Sequence, residues 1–161
     1  MTTLKIRVMI ITMLVMLLLT GSVLAAKPII SADRTYFDVT TGLYVLNGNV
    51  HVEVGNRVIK AKQARVSIAT LEVWAAGGVT LKQDDINFSG DSVYVFGRQD
   101  RVQIAGGVHF SRTGLTIAAD NVDFNWDTKL AVFSGNVKVE QGDKTWTSDI
   151  VNYHVVNNTI L

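Results

Sequence analysis

Leu46-Asn47-Gly48-Asn49-Val50-His51-Val52 sets apolar residues at alternate positions on either side of a Gly-Asn pair. The same shape returns as Ala75-Ala76-Gly77-Gly78-Val79-Thr80-Leu81, as Ile104-Ala105-Gly106-Gly107-Val108-His109-Phe110, and as Phe133-Ser134-Gly135-Asn136-Val137-Lys138-Val139. The pairs begin at 48, 77, 106 and 135, a spacing of 29 residues each time with no gap. A second column keeps that period: Asp33, Lys62, Asp91, Asp120 and Asp149, each preceded by a small residue. Self-similarity of this kind marks a supersecondary unit that buries its apolar face only by stacking on its neighbours. Four copies run from Asp33 to Ser148, and a fifth runs on to Leu161.

Within a copy the apolar period is two, not 3.6. Thr35, Phe37 and Val39 alternate with Tyr36 and Asp38, and Val122, Phe124 and Trp126 do the same at the equivalent positions three copies on. That is a strand with one apolar side. Turn residues punctuate the copies at Thr40-Thr41-Gly42, Arg98-Gln99-Asp100, Asp127-Thr128-Lys129 and Val156-Asn157-Asn158. A second set lies at Gly55-Asn56-Arg57, Asp84-Asp85, Thr113-Gly114 and Gly142-Asp143-Lys144. Between turns lie the Gly-Asn or Gly-Gly pairs and the Asp column, which read as corners where the chain passes from one sheet to another. The Asp side chains are expected to cap backbone N–H groups there. Two reversals per copy predict antiparallel neighbours. The expected fold is all-β: antiparallel 29-residue repeats forming an elongated, V-shaped β-jelly-roll of two facing sheets with an apolar interior. A parallel β-helix, the competing architecture, has no need of two hairpin turns per copy.

Eighteen inward positions are the candidate lipid-binding residues. They are Phe37, Leu46, Val52, Ile59, Val66, Ile68, Leu81, Phe88, Val95, Ile104, Phe110, Ile117, Phe124, Trp126, Phe133, Val139, Trp146 and Tyr153. Two uses of such an interior stand side by side. It is either an ordinary core, each fully buried side chain contributing roughly 1.5–3 kcal/mol, or a slot in which an acyl chain gains about 0.8 kcal/mol per methylene.

The flanking sequence narrows the class. Met1 to Arg7 carries Lys5 and Arg7 and no acid, and Val8 to Leu19 is apolar except for Thr12. Small residues follow, ending Val23-Leu24-Ala25-Ala26. That order is a secretory signal. Residues 1–26 are read as a signal peptide that is removed, and 27–161 as one exported β domain. An uncleaved membrane anchor is the alternative reading of the same segment. The chain has 15 Lys+Arg and 14 Asp+Glu, so losing Lys5 and Arg7 leaves 13 basic against 14 acidic residues. A near-neutral body argues against nucleic acid as a partner. With no cysteine, thiolate metal sites and cysteine nucleophiles are excluded.

Chemistry finds little support. His51 and His109 occupy one repeat position, on the polar face, and read as surface residues. Calcium requires several oxygen ligands per ion, and Ser, Ala, Asn and Arg flank the Asp column. No nucleophile elbow, phosphate loop or zinc motif occurs, and the chain is read as a non-enzyme with no cofactor. A polysaccharide-binding β-solenoid calls for exposed aromatic stripes. Tyr36 and Tyr94 share an outward column, but Arg65, Asp123 and Asn152 interrupt it.

Lys27-Pro28-Ile29-Ile30-Ser31-Ala32-Asp33, followed by Tyr44 to Val52, resembles the periplasmic lipopolysaccharide-transport proteins of the LptA/OstA-like family. Ala118-Ala119-Asp120-Asn121-Val122 and Phe133 to Glu140 repeat the likeness. Lys62 departs from it where Asp is expected. The resemblance implies a β-jelly-roll without catalysis, whose interior carries the acyl chains of lipopolysaccharide between the membranes. It implies as partners like-folded inner-membrane and outer-membrane transport proteins and head-to-tail self-association. A membrane-anchored sister component of that pathway is the alternative. The strand Thr147 to Val155 is expected to lack a following neighbour and to pair with the first strand, Ile30 to Val39, of the next molecule.

Overall fold

The computed structural model describes residues 29–161. The signal-peptide reading of residues 1–26 therefore lies outside the described residues.

Eleven strands make one antiparallel sheet. They are β1 (Ile29–Ser31), β2 (Arg34–Asp38), β3 (Leu43–Val54), β4 (Arg57–Ser67), β5 (Glu72–Gln83), β6 (Ile86–Phe96), β7 (Arg101–Arg112), β8 (Leu115–Asn125), β9 (Leu130–Gln141), β10 (Lys144–His154) and β11 (Thr159–Ile160). From β3 to β10 each strand pairs with the next, a plain meander. β1 and β2 both pair with β3, on its second and first halves respectively. No strand pair is parallel, so the β-helix alternative is set aside.

The expected corners behave differently from the sequence reading. The chain does not leave one sheet for another; eight strands run straight through their corners. The register slips where Gly48-Asn49 faces the single residue Lys62, between Asn47 and Val50 on one strand and Gln63 and Ala61 on the other. Equivalent slips occur at every later corner. A bulge bends a strand sharply without ending its ladder. Here each bulge holds two successive residues in the left-handed region, as at Gly48 (φ 77) with Asn49 (φ 47) and Gly135 (φ 77) with Asn136 (φ 48). The sheet is thereby creased lengthwise into two wings. One wing carries the first halves of β3, β5, β7 and β9; the other carries their second halves. β1 and β2 are the same creased strand broken at Ala32-Asp33.

The Asp column has a different partner from the one expected. Asp33 accepts from the Asn49 side-chain amide at 2.9 and 3.1 Å, and Asp120 accepts from that of Asn136 at 2.8 Å. Neither side chain caps a backbone donor among the described residues. Each also lies over the first glycine of the opposite bulge: a Cβ added at Gly135 falls 2.5 Å from Asp120 Oδ2. This close approach ties the two sequence columns together. Gly135→Ala combines that clash with a left-handed alanine, which costs about 1–2 kcal/mol by itself. Stability is expected to fall by about 1–3 kcal/mol in urea melts. Adding Asp120→Ala should return part of the loss, the signature of two residues in contact.

The C-terminal strand also differs. β11 folds back onto β10, pairing Ile160 with Tyr153 and Thr159 with His154. Of β10, the other half, Lys144 to Ile150, stands as a free edge among the described residues.

Candidate functional site

Cross-strand register lines the inner faces of both wings with continuous apolar rows. On the second wing one row runs Ile30, Val52, Ile59, Leu81, Phe88, Phe110, Ile117, Val139 and Trp146. On the first wing one row joins Phe37, Tyr44, Val66, Val73, Val95, Val102, Phe124, Ala131 and Tyr153. Leu46, Ile104 and Phe133 share a further row beside the crease. Sixteen of the eighteen candidate residues fall in these rows, and Ile68 and Trp126 lie in the adjoining turns. Period-two alternation together with one bulge residue in each of β3, β5, β7 and β9 is what keeps every copy facing the same way.

The wings close on each other through aromatic rings. Phe88 on the second wing lies 6.1 Å from Phe124 and 6.3 Å from Phe133 on the first. Phe110 lies 5.6 Å from Phe133 and 5.3 Å from Tyr153. Phe110, Ile117, Phe133, Val139 and Tyr153 are wholly buried. The small residues Ala64 and Ala75, which on the sequence suggested an uneven interior, are buried too. Over this central stretch the interior is a packed core rather than an open slot.

Polar groups fasten the lips of the crease. Arg112, at the end of β7, reaches across the mouth to the first wing. It donates to Tyr153 Oη at 2.8 Å and to the Val155 carbonyl at 2.5 Å, while pairing with Asp85 at 3.0 Å. Tyr153 in turn donates to Asn158 Oδ1 at 2.8 Å. Burial pushes the Tyr153 phenol above its ordinary value, against the pull of Arg112, so it stays neutral and free to donate. A second fastening sets the Arg57 guanidinium 4.7 Å from the Trp126 ring centre, across the same mouth. Arg112 is a functional candidate that sequence reasoning missed. Its partners lie 41 and 43 residues away, on the other wing, and no repeat column carries the signal.

The N-terminal end is not fastened in this way. Phe37 and Tyr44 pack ring to ring at 5.0 Å in the inner row, yet Phe37 is 49% and Tyr44 42% exposed. Val39, Ile68 and Leu71 extend the apolar surface around them. Among the described residues the second wing offers here the three-residue β1 and the ends of β3 and β4, too little to cover the first wing. Phe37 and Ile68 are thus inward in sequence but uncovered in the fold.

His51 and His109 lie on the outer face of the second wing, with His51 3.4 Å from Glu53. Among the described residues no group of three His, Asp, Glu or Cys side chains is placed to hold a metal ion.

A profile of OstA-like proteins matches residues 56–160, more than half of the chain. The chain belongs to the OstA-like family. The matched segment spans β4 to β11 and so includes three of the four glycine-pair bulges, at Gly77, Gly106 and Gly135. Among solved structures, this OstA-like chain is similar to LptH of Pseudomonas aeruginosa, described as the LptA-homologous periplasmic component of the lipopolysaccharide transport device. The likeness has a TM-score of 0.56 at 18% identity and covers 61% of this chain and 75% of that one. At that identity it shows a shared fold. No curated protein matches the chain.

Proposed function

We propose that this OstA-like protein is a non-catalytic periplasmic carrier of lipopolysaccharide that shields the acyl chains between its two wings. The observation that carries this reading is the inner surface: apolar rows on both wings, sealed at the centre and uncovered around Phe37 and Tyr44. Acyl chains start on that uncovered surface. They advance as the wings part, exchanging side-chain contacts across the crease for side-chain contacts with methylenes. The interior stays dry throughout, and each buried methylene contributes about 0.8 kcal/mol. Family membership and the fold shared with LptH support the assignment.

Bridging is the finer part of the reading. Among the described residues, the free half of β10 offers unpaired backbone groups at one end of the sheet, and β1 and β2 offer theirs at the other. Strand addition between them joins copies head to tail, or joins this chain to like-folded membrane proteins. Such heterologous contacts do not close on themselves.

A photo-crosslinking amino acid at Phe110 or Ile117 is expected to capture lipopolysaccharide, and one at Thr80 or Thr116 is not. The first pair lies in the inner row and the second pair points outward from neighbouring positions of the sheet. Equal capture from both pairs contradicts the reading.

A further inference from the structure

On the outer face of the first wing the chain forms a groove of about 740 Å³, on the far side of the strands from the apolar interior. That volume falls within the roughly 300–1,000 Å³ of small-ligand sites. Its central row is a cross-strand ladder: Tyr36, Val45, Arg65, Trp74, Tyr94 and Gln103. Trp74 and Tyr94 stack with ring centres 5.0 Å apart and planes 22° apart. Tyr94 is held in place by donating to Glu72 at 3.1 Å. In the next row Ala76, Ser92 and Ala105 are neighbours, and their small side chains give the groove its depth. Asn47 and Gln63 adjoin them. Among the described residues, the side chains of Asn47, Gln63 and Arg65 make no hydrogen bond or ion pair with another side chain.

We infer that this groove is a second binding site, for an oligosaccharide. The lining selects that chemistry by elimination. An acyl chain would leave the planar polar groups of Asn47, Gln63 and Arg65 dry and unpaired. A peptide gains little, because the backbone groups beneath are already paired within the sheet and strand addition needs an edge. A polyphosphate backbone requires a positive track, whereas the lining holds one guanidinium, Arg65, with Arg34 beside Asn47 at one end and the carboxylates of Glu72 and Asp123 close by. A pyranose satisfies both parts of the lining. Its C–H face packs on an aromatic ring, while its equatorial hydroxyls meet amides and a guanidinium at the ring's edge. Arg65 additionally suits one carboxylate on the sugar. The outward Tyr36/Tyr94 column that Arg65 interrupts in sequence is completed in space by Trp74, which belongs to a different column.

The indole N–H signals of the three tryptophans, followed by NMR on the full mature chain, test the site. Two probes are titrated: lipopolysaccharide stripped of its acyl chains, and chitohexaose. Saturable movement of the Trp74 signal alone, with Trp126 and Trp146 unmoved, is expected with at least one probe. Response to the stripped lipopolysaccharide only assigns the site to the sugar of the carried lipid, and response to chitohexaose assigns it to a free glycan. Trp74→Ala is expected to weaken binding at least tenfold. Arg65→Ala, at an exposed position, should do so without lowering the melting temperature. No movement of Trp74 with either probe, or undiminished affinity in both variants, overturns the inference. Because the groove and the interior lie on opposite faces, either result leaves the acyl-chain reading to its own test.

Discussion

Phe110→Ala lowers the free energy of unfolding by about 3–5 kcal/mol, the usual cost of removing a buried phenyl ring from a rigid core. Phe110 is wholly buried and touches both wings. Its ring centre lies 4.8 Å from Phe88 beside it and 5.3 Å from Tyr153 opposite. Domains of this size are stable by about 5–15 kcal/mol, so the variant loses a large share of its stability. Urea unfolding followed by tryptophan fluorescence gives the value. The size of the loss also separates two pictures of the interior. A packed seam between wings gives the full penalty, whereas a pre-formed slot leaves Phe110 half-solvated and gives under about 1 kcal/mol.

Arg112→Ala is the second large effect, expected at about 1–3 kcal/mol. One side chain joins three acceptors at the mouth, and its removal leaves Tyr153 Oη and the Val155 carbonyl without their cross-wing donor. Arg112→Lys should recover only part of the loss, because an ammonium lacks the planar fork that serves the Asp85 carboxylate and the other lip together. A functional consequence accompanies the structural one. If the lips must separate for acyl chains to enter, releasing this fastening raises the rate at which an apolar dye or lipid is taken up, even as the fold weakens. A variant that is destabilised yet takes up lipid no faster places the route elsewhere.

Much of this architecture is legible in the sequence because two periods coincide. Alternation fixes which side chains face inward, and the 29-residue spacing repeats that choice in register. The column of Val52, Leu81, Phe110 and Val139 in sequence accordingly belongs to one row in space. The corners were harder to read. A Gly-Asn pair looks like the end of a strand, yet two left-handed residues within a bulge turn the chain while preserving the ladder. The turn at Ile68 to Leu71 carries no Gly, Asn or Asp and was not anticipated. Leu71 nonetheless adopts φ 59, in the column it shares with Gly42, Asp100, Lys129 and Asn158, all left-handed. Tertiary context there overrides the preference of the side chain. The Arg112 fastening and the Trp74–Tyr94 stack were illegible for another reason. The first joins different wings and the second different columns, so neither leaves a periodic trace.

The central claim is that acyl chains ride between wings that part to admit them. Spin labels at Thr113 and Thr128, exposed turns on opposite lips, report the width of the mouth by pulsed dipolar spectroscopy. A longer distance is expected on adding lipopolysaccharide, with the short distance restored when the lipid is withdrawn. An unchanged distance with lipid bound contradicts the account, because the interior packed around Phe110 and Phe133 has no other way to receive it.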